Sequence, residues 1–340
     1  MNQAPDIPDG VHFGLPADDY FAISALSASG LKNLLISGPD FWYRTPWLNP
    51  NYVDEDSEAK FIGRAYHTRI LEGKNAFDEL YAPEFDAPPD CIRTVDELKD
   101  ALIKFGIEKP KGLKPDLIGQ LLALQPGALI FDEMKTDYHV LHHGKEFMSH
   151  GLIAKIETAA AMIEKHPETS KCFSGGYPEV TIIWTENDIR FKARMDYLKP
   201  KAIVDLKTFA NFLNKPTDSA IYSAMASGKY HIQAAHYMRA FEAAKRLPVW
   251  DGCTAEFRQQ LEECVEPGFY FVCQAKGLAP LARVKKFTRG SLWSCGEVAI
   301  DEAIHRFRHF MELYGELPWV DQEPIGEFLD DHFPAYTTDL

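Results

Sequence analysis

Polar and apolar positions along the chain change period more than once. Ser27-Ala-Ser29-Gly-Leu-Lys-Asn-Leu-Leu35 places a polar cap before an apolar run, with Gly38-Pro39 as a stop, and predicts a helix. Residues 57–72 predict a second helix, ending at Gly73, in which Gly63 and His67 lie four apart on one face. Thr94-Val-Asp-Glu97 is a capping-box pattern, and the basic loop Pro110-Lys-Gly-Leu-Lys114-Pro115 leads to another helix from Asp116. In the middle of the chain the period drops to two. Residues 179–185 and 188–198 read as strands, the second alternating Ile189, Phe191, Ala193, Met195 and Tyr197 with Arg190, Lys192, Arg194 and Asp196. After the short turn Lys199-Pro200-Lys201, residues 202–208 return as the next strand. Helical patterning resumes over 230–245 and 297–314, with one more strand at 268–276. Helices ahead of a mixed sheet, a helix crossing it and a further strand predict an α/β (α+β) sandwich, with one charged and one apolar sheet face.

The 340 residues suffice for one large core, and 46% hydrophobic with 25% charged residues is an ordinary globular composition. No apolar run reaches the length of a membrane span, and the polar N-terminus lacks the layout of a signal peptide, so a cytoplasmic protein is expected. Six cysteines at wide intervals, with no C-x-x-C among them, read as reduced core residues rather than a metal cluster. The net charge of −14 disfavours nucleic-acid binding over the whole surface, but leaves room for positive charge concentrated in one cleft.

Asp205 and Lys207 are two apart on a strand, so both side chains leave one face, roughly 6–7 Å apart at the backbone. The tight turn at 199–201 makes the preceding strand an antiparallel neighbour, which brings Asp196 close to Asp205. Two carboxylates held together repel unless a cation lies between them, and a hard divalent ion takes oxygen ligands. A lysine beside such an ion can orient or deprotonate water, or stabilise phosphate charge. Taken alone, a D-x-K triplet is more often part of a salt-bridged surface.

Wider context makes the pattern specific. Met195-Asp196 followed by Asp205-Leu-Lys207-Thr208 resembles the core of the PD-(D/E)XK nuclease superfamily, with Met195 in the place of the usual proline. Gln233 and Tyr237 resemble the Q-x-x-x-Y signature that follows this core in RecB-type nucleases, and Gly63-Arg-Ala-Tyr-His67 the upstream G-x-x-x-H helix. Leu26-Ser-Ala-Ser-Gly-Leu31 is similar to the opening of the RecE (exonuclease VIII) group and its phage and prophage relatives. The resemblance runs from about residue 20 to 320.

It implies a restriction-endonuclease-like core, a mixed β-sheet flanked by helices, within a single nuclease domain over residues 1–340. Residues 175–280 would be the catalytic sheet core. His67, Asp196 and Asp205 would be metal ligands, Lys207 the catalytic lysine, and Glu179 a further acidic member of the catalytic set. Gln233 and Tyr237 would contact substrate or steady the site. Mg²⁺ or Mn²⁺ would be the cofactor, with no iron–sulfur cluster because the close cysteines of those relatives are missing. The implied activity is that of an exodeoxyribonuclease degrading one strand of linear duplex DNA, 5′ to 3′, in recombination. Its implied partners are duplex DNA ends, a single-strand annealing protein of RecT type and further copies of the chain, with no membrane. An endonuclease or single-strand nuclease built on the same centre, or a non-catalytic DNA-binding adaptor, are the alternatives. Residues 93–127 resemble a SAP-like helix–loop–helix insertion whose Lys109, Lys111 and Lys114 would touch DNA; a hairpin simply packed on the main domain fits the same pattern.

Overall fold

The structure is a computed structural model that describes residues 7–54, 57–211, 213–277 and 279–321. In chain order the elements are β1 (Gly10–His12), α1 (Ala17–Ala22), α2 (Ala28–Leu34), α3 (Gly38–Tyr43) and α4 (Glu58–His67), the last running into one π-turn over Thr68–Glu72. Then come α5 (Lys74–Leu80), β2 (Tyr81–Pro83), α6 (Val95–Lys104), α7 (Lys114–Leu124), α8 (Phe131–Leu141), β3 (Glu146–Met148), α9 (His150–Lys165) and α10 (Thr169–Cys172). The remainder is β4 (Tyr177–Glu186), β5 (Ile189–Lys199), β6 (Ala202–Phe209), α11 (Thr217–Ser227), α12 (Tyr230–Ala244), β7 (Val249–Asp251), α13 (Ala255–Glu262), β8 (Gly268–Ala275), β9 (Ala282–Phe287) and α14 (Ser291–Tyr314). The chain divides into two compact units, one of residues 1–63 and 161–340, the other of residues 64–160.

The larger unit is built on a seven-stranded mixed sheet in the order β7-β1-β4-β5-β6-β8-β9. β1 with β7 and β6 with β8 run parallel, and the other neighbours are antiparallel. Local chemistry sets the central meander. Asn187 and Asp188 both take positive φ (49° and 62°) between the paired Glu186 and Ile189, the mirror-type two-residue turn that matches strand twist. Pro200 and Lys201 make the next two-residue turn, closed by the Lys199–Ala202 pair. The parallel β6–β8 pair needs a long crossover, and α11 and α12 lie within it.

α12 is buried along most of its length, with Ala234, Ala235, Ala240 and Ala244 letting it lie close to its neighbours. Across it runs α14, and at Gly296 a Cβ would stand 2.6 Å from the carbonyl oxygen of His231, so only glycine permits this approach. The polar face expected of β5 is not solvated. Lys192 is buried, and its ammonium donates to the carbonyls of Tyr20, Phe21 and Ile23 at 2.9, 3.2 and 2.8 Å. It thereby adds a donor to carbonyls at and just beyond the end of α1. Burial pushes that ammonium down to about 8.

Within the smaller unit β2 and β3 form a parallel pair. α6 starts at the capping box expected from the sequence, Thr94 with Glu97. α6 and α7 bury Leu98, Leu102, Leu117 and Leu121 with Ile118 and Ile130 in a core of their own. Of the six cysteines expected in the core, Cys91, Cys264 and Cys273 are buried, Cys172 and Cys253 are half-buried and Cys295 is exposed. Gly38-Pro39 does more than stop α2, since Ser37 caps α3 there by accepting from the Asp40 N–H. No helix among the described residues is long and apolar enough to cross a membrane.

One buried group couples this packing to pH. His236 on α12 is fully buried between sheet and helix; its Nε2 lies 3.0 Å from the Lys192 carbonyl, and its Nδ1 has no hydrogen-bond partner. Burial lowers its pKa from 6.5 to about 4, so the ring is held neutral. The unfolded chain therefore takes up this proton first, and the penalty on folding grows as pH falls from about 6.5 toward 4, reaching on the order of 3 kcal/mol. In urea titrations, the stability of wild type minus that of His236→Gln should be flat above pH 6.5 and fall steadily below it. A difference independent of pH between 7.5 and 4.5 would show that the ring is not held neutral.

Candidate active site

At the end of the Lys199–Ala202 turn β5 and β6 pair through Lys199–Ala202, Leu198–Ile203 and Tyr197–Val204, and then part. Asp196 is the first residue beyond the pairing. Its Oδ2 accepts a hydrogen bond from the Leu206 N–H at 2.7 Å, so a side chain takes over where the backbone ladder stops. The gap between the strands is thus closed by a carboxylate, which leaves Asp196 almost fully buried beside Asp205 and Lys207.

Asp205 is wholly buried, because β8 runs beside β6 and α12 covers the sheet face. The Gln233 amide donates to its Oδ1 at 2.8 Å, and the Lys207 ammonium pairs with its Oδ2 at 2.5 Å. Tyr237 follows one turn further along α12, buried beside the Asp205 and Asp196 carboxylates. Burial drives the Tyr237 hydroxyl well above its ordinary value, so it stays a neutral hydrogen-bonding group. Burial alone would lower the Lys207 pKa, but Asp205 and Asp196 beside it hold the ammonium above the ordinary lysine range. The Asp196 pKa also rises, pushed up to about 7 by burial, with Glu179 adding to the rise while Lys207 opposes it.

Glu179 approaches from β4. It stands between the Pro178–Tyr197 and Val180–Met195 pairs and has a φ of 51°, a left-handed conformation unusual for glutamate inside a strand. Arg194 grips its carboxylate at 2.5 Å and also donates to the Leu15 carbonyl at 2.7 Å. Carboxylate oxygens of Glu179 and Asp196 lie within 4.8 Å of each other. Such like charges, one of them buried, suit a hard divalent cation that takes oxygen donors. The donor set therefore fits a divalent metal.

The structure thus brings Asp196, Asp205, Lys207, Glu179, Gln233 and Tyr237 together in the larger unit. The other residues singled out in the sequence lie in the smaller unit. His67 closes α4, which itself runs across the division after Gly63. Lys109 and Lys111 are exposed in the loop before α7, and Lys114 pairs with Asp132 at 2.5 Å. Arg194, Lys32 and Tyr230 were not among the site candidates of the sequence. Arg194 had a signal, since it is two before Asp196 on the same strand face. Lys32 and Tyr230 had none, because the helices that carry them meet only through tertiary packing.

A mixed sheet flanked by helices, with Asp196 and the Asp205-Leu-Lys207 triplet where two central strands part, is a PD-(D/E)XK-type domain. Residues 27–247 match the PDDEXK-like domain of unknown function (DUF3799), and the chain belongs to that family. In fold it is similar to the crystal structure of a "Putative exonuclease" from Eubacterium rectale, at 17% sequence identity. That likeness covers 93% of this chain and 97% of the other, with a TM-score of 0.50, and it is a likeness of fold. No curated protein matches the chain.

A raised Asp196 pKa means that the folded state binds this proton more tightly than the unfolded chain does. Above pH 7 the ionised carboxylate is consequently a cost to folding, which a bound cation removes. Asp196→Asn keeps an oxygen for the Leu206 N–H and discards the charge. At pH 8 in chelator it should melt at or above the wild-type temperature; on adding Mg²⁺ or Mn²⁺ the wild type should gain stability and the variant little. A variant several degrees less stable in chelator, or one that gains as much as wild type from the metal, would contradict this account of the site.

Proposed function

We propose that the protein is a divalent-metal-dependent deoxyribonuclease that degrades one strand of linear duplex DNA from an end. The observation that carries the reading is the buried Asp196–Asp205–Lys207 constellation, braced by Gln233 and faced by Glu179. In this reading Asp196 and Asp205, with Glu179 beside them, would hold Mg²⁺ or Mn²⁺. The ion supplies a polarised phosphoryl oxygen and a more acidic water.

The chain's own groups do the rest. Lys207, presented as an ammonium by its pairing with Asp205, stabilises charge on the phosphate and orients the attacking water. Tyr237, buried and neutral, lies beside the Asp205 and Asp196 carboxylates, and Gln233 holds Asp205 in place through its hydrogen bond. Arg194 does the same for Glu179. Burial of Asp205 and Asp196 keeps bulk water from screening these charges, which strengthens each of them.

Sequence resemblance to the RecE-like group supports the finer assignments: 5′-to-3′ polarity, a role in recombination beside an annealing protein of RecT type, and assembly into homo-oligomers. The exposed Lys109 and Lys111 suit phosphate contacts from the helix–loop–helix over residues 93–127, while Lys114 is occupied by Asp132.

End-labelled linear duplex incubated with Mg²⁺ should be shortened, and covalently closed circular duplex should survive. Lys207→Met should reduce turnover roughly a hundredfold or more, the scale of losing a charge-stabilising or proton-transferring group. Duplex affinity should change far less, since one phosphate contact among many is lost. Cleavage that persists in chelator would end the metal-dependent reading; nicking of the closed circle would reassign the mode to endonuclease.

A further inference from the structure

Lys32 belongs to none of the groups discussed so far. It lies on α2, half-buried, and its ammonium donates to the Gly228 carbonyl at 2.7 Å where α11 gives way to α12. The same ammonium stands 5.1 Å from the centre of the Tyr230 ring, and the Lys207 ammonium stands 4.9 Å from that centre. Two cations thus share one aromatic ring and are separated by no more than about 10 Å. Lys229 adds a third positive charge that acts on Lys32.

Lys207 has Asp205 as its counter-ion. Lys32, among the described residues, makes no ion pair: its hydrogen bond goes to a neutral carbonyl. Burial, reinforced by Lys207 and partly countered by Asp205, pushes its ammonium down to about 8. Holding a half-buried cation next to another without its own carboxylate is unfavourable, and an anion received there would reverse the sign of that interaction. Tyr230 is well fixed for a supporting role. It packs on Phe271, with ring centres 6.1 Å apart, and a Cβ at Gly228 would meet its ring at 2.6 Å.

We propose that Lys32, resting on the Tyr230 ring, forms a seat for a backbone phosphate of DNA next to the phosphate addressed by Lys207. Lys32 is the contacting group, and Tyr230 is a positioning residue that sets the spacing of the two ammonium groups. This inference rests on the nuclease reading for its choice of anion. It explains how a chain of net charge −14 can draw a polyanion to one place: unmatched positive charge is gathered on one side of Asp205.

Binding and cleavage are measured separately. A short labelled duplex is titrated in chelator at several salt concentrations, and wild-type cleavage of linear duplex is measured in Mg²⁺. Lys32→Met keeps the length of the stem and removes the charge. It should flatten the log–log salt dependence by roughly 0.9, the increment for one phosphate contact, and raise KM more than it lowers kcat. Lys32→Arg should restore most of the slope. Tyr230→Leu should reproduce the loss and Tyr230→Phe, which keeps the ring, show less of it. Should Lys32→Met fail to melt near the wild-type temperature, Lys32→Gln, which can still donate to Gly228, carries the same test. A folded, charge-free variant with the wild-type slope and KM would overturn the seat. If the wild type itself binds duplex but does not cleave it, the nuclease reading falls and the slope still decides the seat.

Discussion

One hydrogen bond organises the centre of this molecule: the Leu206 N–H donating to the Asp196 carboxylate. Two central strands of a sheet cannot diverge inside a protein without leaving backbone groups unpaired, and an unpaired buried amide is costly. Here the amide is satisfied by a carboxylate, so the divergence that opens space for chemistry also anchors one of the acids that would use it. Everything nearby follows. Asp205 lies buried one residue before Leu206 on β6, Lys207 neutralises it, Gln233 comes down from α12 to hold it, and Glu179 arrives from the opposite neighbour, β4. Gly296 lets α14 press α12 onto the sheet, which keeps Gln233 in reach.

Electrostatics at this centre are uneven. On the side of β4 and β5 negative charge accumulates, with Glu179 close enough to raise the cost of ionising Asp196. On the side of α2 and the start of α12 positive charge accumulates, from Lys32, Lys207 and Lys229. A metal and a phosphate have opposite signs, and a site that takes both needs such a division. Elsewhere the net charge of −14 disfavours DNA over the surface as a whole.

Much of this was legible along the chain because it is local. Two-residue turns fix the β4–β5–β6 meander, and period-two alternation marks its strands. The Thr94–Glu97 box marks a helix start. The residues at the centre were legible only as a combination, since Asp205 and Lys207 alone would suit a salt-bridged surface. What escaped was whatever depends on tertiary closure. β1, β7 and β9 are three to six residues long and carry too little pattern to be seen. Lys192 looked like a surface residue until α1 was found to end over it. Cys295 looked like core, but its helix turns it outward. Lys32 and Tyr230 are nearly two hundred residues apart, and nothing in either segment announces the other.

Glu179 sets two demands against each other. Its left-handed backbone is one that glycine or asparagine adopts more readily than glutamate does, and its carboxylate sits against another acid. Against that strain stands the part-buried Arg194 guanidinium, which would lose its counter-charge if glycine or asparagine took the position. Position 179 therefore carries a local backbone cost that one ion pair offsets, and under the proposed function the same side chain would also serve the metal.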